Sequence, residues 1–193
     1  ENTALGLNTL YANTTANGGT AVGSQALTSV TTGNNNTAVG TNSLLVNTTG
    51  SENTAVGRLS LDANTTGTNN VAVGNSALGA NISSTYNTGI GDNSGAALTT
   101  GANNTFVGAL AGDGTDDGAA NLVSGEFNVY MGYLSRASGS NASSEMVIGS
   151  GNRVHLGKGN STGFISPDTG GVYQGNNAST WSTTSDQRLK KNI

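Results

Sequence analysis

NTALG, Asn2 to Gly6, is the phrase whose recurrence decides the fold. It returns as GTAVG, NTAVG, NTAVG, NVAVG, NTGIG and NTFVG, closing on Gly23, Gly40, Gly57, Gly74, Gly91 and Gly108, each step 17 residues long. After one step of 24 residues it recurs as NVYMG at Gly132, then after 17 more as EMVIG at Gly149. A short period held without slippage marks a repeat architecture, each unit a coil stacked on the last.

The residue before the closing glycine is Leu5, then Val or Ile through Val107. The one before that is Ala until Gly89 and Phe106, and the third is Thr except at Val71. Asn occupies the fourth, except at Gly19. Alternate residues of a strand face opposite ways, so Thr and Val share one face while Asn, Ala and Gly share the other. This predicts a strand of about four or five residues in each coil. A second apolar column, Leu10, Leu27, Leu44, Leu61 and Leu78, stands four residues past the glycine and stops after Gly91. Thr pairs, from Thr14-Thr15 to Thr99-Thr100, mark a turn, and Gly33, Gly50, Gly67 and Gly101 follow four of them as if positive φ were needed. The expected class is all-β: a β-solenoid or β-roll of 17-residue coils, with identical side chains stacked about 4.8 Å apart.

One Val and one Leu per coil make a thin core. At roughly 1.5 to 3 kcal/mol per buried aliphatic side chain, they fall short of an ordering cost of about 1 kcal/mol or more per residue. More surface must be buried, and the small-residue Ala/Gly face is the candidate for contact with other copies. A closed parallel homotrimer is the simplest such arrangement. The Asn columns are expected to add ladders of side-chain amides.

Composition narrows the function. The chain has 30 Gly, one Pro, no Cys and 9% charged residues, with a net charge of −4. Three of its seven bases, Arg188, Lys190 and Lys191, crowd the last six residues, so the repeats offer no basic stripe for nucleic acid. No apolar run is long enough to predict membrane insertion. Without cysteine there is no disulfide framework or thiolate metal site, and no cofactor motif is present. The chain opens in mid-repeat at Glu1, as a piece of a longer chain would.

Four sections are expected: a regular shaft over 1–112, thickened repeats with an inserted loop over 113–150, a β-rich distal segment over 151–184, and a separate start at 185–193. The surplus of the 24-residue step coincides with DGTDDGA, Asp113 to Ala119. Asp113, Asp116 and Asp117 are weak candidates for a calcium site, since hard cations take clustered carboxylates; the same residues suit a polar loop. From Glu126 the columns thicken through Phe127, Tyr130, Met131 and Tyr133, which implies a wider core or a bulkier contact between chains. His155 reads as a half-buried strand residue rather than a ligand, since no Cys or second His joins it. N-x-S/T triplets at Asn13, Asn47, Asn64 and Asn103 arise from the repeat itself, so they carry little weight as glycosylation signals.

The chain ends NNASTWSTTSDQRLKKNI. Ser185 to Ile193, with Trp181 shortly upstream, resembles the opening of the intramolecular chaperone, or S74 peptidase, domain that ends many phage tail fibres and tailspikes. The NTAVG repeats are similar to the head repeats of trimeric autotransporter adhesins, which have a shorter period. The first resemblance implies a helical domain that trimerises the chain and then cleaves itself off. Ser185 would be the nucleophile, Lys190 its general base, and Asp186 a shaper of the cleavage turn. Read without the resemblance, SDQRLKKN starts an amphipathic helix capped by Ser185 or Asp186.

Three functions compete at this point. The first is a structural fibre for host or surface attachment, extracellular, on a virion tail or a cell-surface appendage, with host glycans or a receptor as partner. The second is an ice-binding β-solenoid using Thr ranks, against which Val71 and Ile82-Ser83 interrupt the columns. The third, a glycan depolymerase, needs paired carboxylates, and the acids do not recur as a cluster. Enzymatic activity is expected at most as autoproteolysis at the C-terminal junction.

Overall fold

A computed structural model describes residues 1–113, 121–150, 155–167, 172–174 and 182–183. The chain is a β-solenoid. Its closing phrases form β1 (Thr3–Leu5), β2 (Thr20–Val22), β3 (Thr37–Val39), β4 (Thr54–Val56), β5 (Val71–Val73), β6 (Thr88–Ile90), β7 (Thr105–Val107) and β8 (Val129–Met131). Further on come β9 (Ser135–Arg136), β10 (Met146–Ser150), β11 (His155–Leu156), β12 (Gly163–Pro167), β13 (Val172–Gln174) and β14 (Ser182–Thr183). β1 to β8, β10 and β12 stack in order as ten parallel strands of one sheet, like residue beside like residue. β13 and β14 extend that sheet with antiparallel pairing, and β9 pairs with β11.

The strands of the regular coils have three residues, fewer than their sequence predicts. Where Asn precedes the strand, its N–H is drawn out of the backbone ladder by the Asn side chain of the neighbouring coil. Its carbonyl still accepts from a strand N–H, as Asn70 O does from Thr54 N–H at 2.8 Å. Asn70 N–H donates to Asn53 Oδ1 at 3.0 Å, Asn87 N–H to Asn70 Oδ1 at 3.0 Å, and Asn104 N–H to Asn87 Oδ1 at 2.9 Å. Each amide nitrogen also reaches across the coil to a turn carbonyl, as from Asn53 to Gly67 at 2.8 Å. The expected ladder is therefore internal, fully buried and satisfied through both ends of each amide.

The assignment of faces reverses the expectation drawn from the strand pattern. Ala21, Ala38, Ala55 and Ala72 point into the coil and are fully buried, beside the Leu27 to Leu78 column. The Thr/Val face points outward. The coil is too narrow for large side chains from both walls, so a small residue on the strand faces a large one on the opposite segment. Where the strand residue grows to Phe106, the opposite column shrinks to Gly95 and Gly112. A Cβ on Gly95 would lie 2.7 Å from Phe106 Cδ2. Phe106 and Tyr130 stack with centroids 5.7 Å apart. At Phe106 the coil thus trades volume across one core, whereas the coil of Tyr130 also encloses Arg136.

The turn glycines also have another cause than the one expected. Gly33 and Gly50 are not in the left-handed region; a Cβ on either would run into the carbonyl of the next coil's turn. Left-handed backbone falls instead on Leu27, Leu44, Leu61 and Leu78, each with φ of 50°.

One station shows the tolerance of the interior. Asn81 is fully buried and neither amide atom has a hydrogen-bond partner, whereas the next coil places buried Leu98 there. Since an unpaired buried amide costs about 1 to 3 kcal/mol, Asn81→Leu is expected to leave stability unchanged or raise it by about 1 kcal/mol. Urea denaturation of the two chains checks this.

Candidate functional site

The outer face of the sheet is the candidate site. Alternation sends the first and third residues of every strand outward, giving two ranks that run along the stack. The first rank is Thr3 to Thr54, then Val71, Thr88, Thr105 and Val129. The second is Leu5, then Val22 to Val73, Ile90, Val107 and Met131. No charged residue stands in either rank. Val56 and Val73 are 36% and 37% exposed, Ile90 42% and Met131 39%. A continuous apolar column, half-buried or exposed at every coil and beside a column of hydroxyl and methyl groups, is surface that the solenoid does not fully cover with its own chain.

The Thr pairs of the turn differ from this face. Thr14, Thr31, Thr48 and Thr65 donate their hydroxyls to the carbonyl 17 residues on, at 2.8 to 3.1 Å. These protons bind coil to coil, so the first Thr of each pair acts as a strut.

At the C-terminal side of the regular stack, Glu145 takes the Asn station. Its N–H continues the ladder by donating to Asn128 Oδ1 at 2.8 Å. Its buried carboxylate accepts from the Tyr130 hydroxyl at 2.9 Å, Ser138 N–H at 3.1 Å and Gly159 N–H at 2.8 Å. Burial first, and the adjoining carboxylate second, hold the Tyr130 phenol protonated well beyond its ordinary range. A buried carboxylate already holding three donors is a structural acceptor.

Of the residues singled out in the sequence, Ser185, Asp186 and Lys190 lie outside the described residues, as do Trp181, Asp116 and Asp117. Asp113 is described and buried. Among the described residues no group of three or more His, Cys, Asp or Glu gathers to hold a metal ion. His155 lies on β11, its backbone beside Ser135. Asn47 and Asn64 are fully buried inside the coil, so neither triplet offers a glycan acceptor in the folded chain; Asn103 is exposed. No helix among the described residues is long and apolar enough to cross a membrane. Comparisons with protein-family models, curated proteins and solved structures gave no match to this chain.

Proposed function

We propose that this chain is the shaft of an attachment fibre, assembled as a parallel homotrimer through the outward Thr/Val face. The observation that carries the reading is the unbroken, uncharged apolar rank along the outer face of the sheet. Stacked coils of fixed pitch let identical chains meet along that rank in register, so every coil adds the same contact. The alanine face, first suited to this role by its small residues, is occupied by the core. The resemblance of Ser185 to Ile193 to fibre chaperone domains supports an extracellular setting, with a host glycan or receptor as partner and self-cleavage as the step that follows assembly.

The test is the oligomeric state of the native chain by sedimentation. A trimer is expected, and Val73→Glu, which brings like charges together at the contact, is expected to raise its dissociation constant by roughly a hundredfold or more. The solenoid should survive, because that side chain already meets solvent in the single chain. A native monomer at micromolar concentration would overturn the reading.

One observation favours a second reading. The same face sets hydroxyl and methyl groups at about the 4.8 Å strand spacing, an array that can order water for ice binding, and Val71 keeps the methyl where it loses the hydroxyl. Thermal hysteresis in a monomeric chain, lost on Thr54→Glu, would transfer the assignment to ice.

A further inference from the structure

The corner before the strand has left-handed backbone; Gly18, Asn35, Asn69 and Asn103 suit that conformation, and Glu52, Ser144 and Ser161 adopt it in other coils. Two coils place an aromatic there. Tyr86 and Phe127 stand at this station with φ of 59° each, and each is 60% exposed. A bulky side chain in left-handed backbone costs about 1 kcal/mol or more relative to Asn or Gly. Burial does not repay that cost here, because most of each side chain lies in solvent. The core gains nothing from these two aromatics, which points to a role outside the chain.

Their placement is regular. Tyr86 N–H donates to Thr68 O at 3.2 Å, Asn103 N–H to Thr85 O at 3.1 Å, and Phe127 N–H to Ala102 O at 3.2 Å. The three residues therefore occupy consecutive coils of one column, with exposed Asn103 between the aromatics. Two coils separate the aromatic backbones by about 9.6 Å. That is close to the advance of two rings along an extended β-1,4-linked pyranose chain. In such a chain alternate rings present equivalent faces, and the apolar C–H face of a sugar packs on an aromatic ring. Asn103 offers an amide donor and acceptor at the intervening ring, and exposed Glu126 offers a carboxylate to sugar hydroxyls. Glu52, in the same column, and Glu126, beside it, disfavour a phosphate backbone as the stacking partner.

We propose that Tyr86, Asn103 and Phe127 form a platform for a neutral β-1,4-linked glycan, bound along the solenoid axis with every second ring on an aromatic. This deepens the attachment reading and rests on it. The site binds without altering the sugar: no bond forms or breaks.

The test uses Tyr86→Asn and Phe127→Asn, since Asn is the residue that the column itself uses at this backbone. Both variants should fold with native or higher stability. The probes are cellohexaose and chitohexaose, titrated by calorimetry against the native chain and each variant. At least one probe is expected to bind, and each substitution to weaken it by about tenfold, one stacking contact. Tyr86→Phe should retain binding. Failure of both probes to bind the native chain would overturn the proposal, as would binding that survives both substitutions. Loss of stability in the Asn variants would show the aromatics to be structural. Binding of an oligothymidine instead would make the platform one for nucleic acid. Sedimentation of the same samples separates this test from the trimer: a variant that loses the oligomer as well as the sugar would identify a second copy as the occupant.

Discussion

Gly40→Ala is expected to cost about 3 to 5 kcal/mol of stability, the sum of a backbone penalty and an overpacking penalty. Gly40 has φ of 136°, a region essentially closed to side-chain-bearing residues. A Cβ there would stand 2.5 Å from Gly57 O and 2.6 Å from Gly57 C. Those atoms have no freedom to retreat, because Gly57 N–H donates to Val39 O at 2.8 Å and holds the next coil at the strand spacing. The same collision recurs at Gly23 and Gly91, so the requirement belongs to the stack, not to one turn. Gly139→Ala is the matched control. Its added Cβ meets nothing within 4 Å and its backbone is not left-handed, so a change within about 0.5 kcal/mol is expected. Urea unfolding followed by far-ultraviolet circular dichroism compares the two. Equal midpoints would mean that the coils are not packed glycine over glycine.

That glycine column is why the architecture could be read from the sequence. A residue needed for close approach cannot drift in register, so its period reports the coil directly. The inside and outside of the strand were harder to tell apart. Alternation defines two faces without saying which is enclosed, and Val is the more apolar residue, so burial alone favours Val inside. The enclosed space decides otherwise, because Leu from the opposite segment fills it and leaves room only for Ala. A signal for this lies in the sequence as a pair of linked changes. The strand column passes from Ala72 through Gly89 to Phe106 while the Leu column ends at Leu78 and gives way to Gly95 and Gly112. Side chains that trade volume share a space, and outward-facing residues would have no reason to do so.

The candidate face was legible only as a set of residues, since its membership follows from alternation but its exposure follows from the core. The left-handed corners are marked in the sequence only where Gly or Asn stands, as at Gly18 and Asn35. Leu27 and Tyr86 are poor residues for that backbone, and each is held there by coils above and below whose geometry is already fixed. Tertiary stacking overrides local preference at such positions.

Asn70→Ala carries the second large effect, comparable in size to the glycine substitution but with a different origin. Asn70 Nδ2 donates to Ser84 O at 2.8 Å and Asn53 Oδ1 at 3.1 Å, while its Oδ1 accepts from Asn87 N–H at 3.0 Å. All three coils involved are closed to solvent at this station. Truncation strands the Asn87 N–H and the Ser84 carbonyl, at about 1 to 3 kcal/mol each, so a loss of about 3 to 5 kcal/mol is expected once the cavity is included. Asn70→Asp adds a sign test. It keeps an acceptor for Asn87 N–H but turns its other carboxylate oxygen toward Ser84 O and Asn53 Oδ1, so burial and the facing oxygens raise its folded pKa above the unfolded value of about 3.9. The variant should lie closest to the native chain below that value and lose stability as pH rises through and above it. The comparison with Asn81→Leu isolates pairing from burial, since both residues are enclosed and only Asn70 is bonded along the stack. Were Asn70→Ala to cost no more than about 1 kcal/mol by urea unfolding, the amide column would be filling space in the coil without joining one coil to the next.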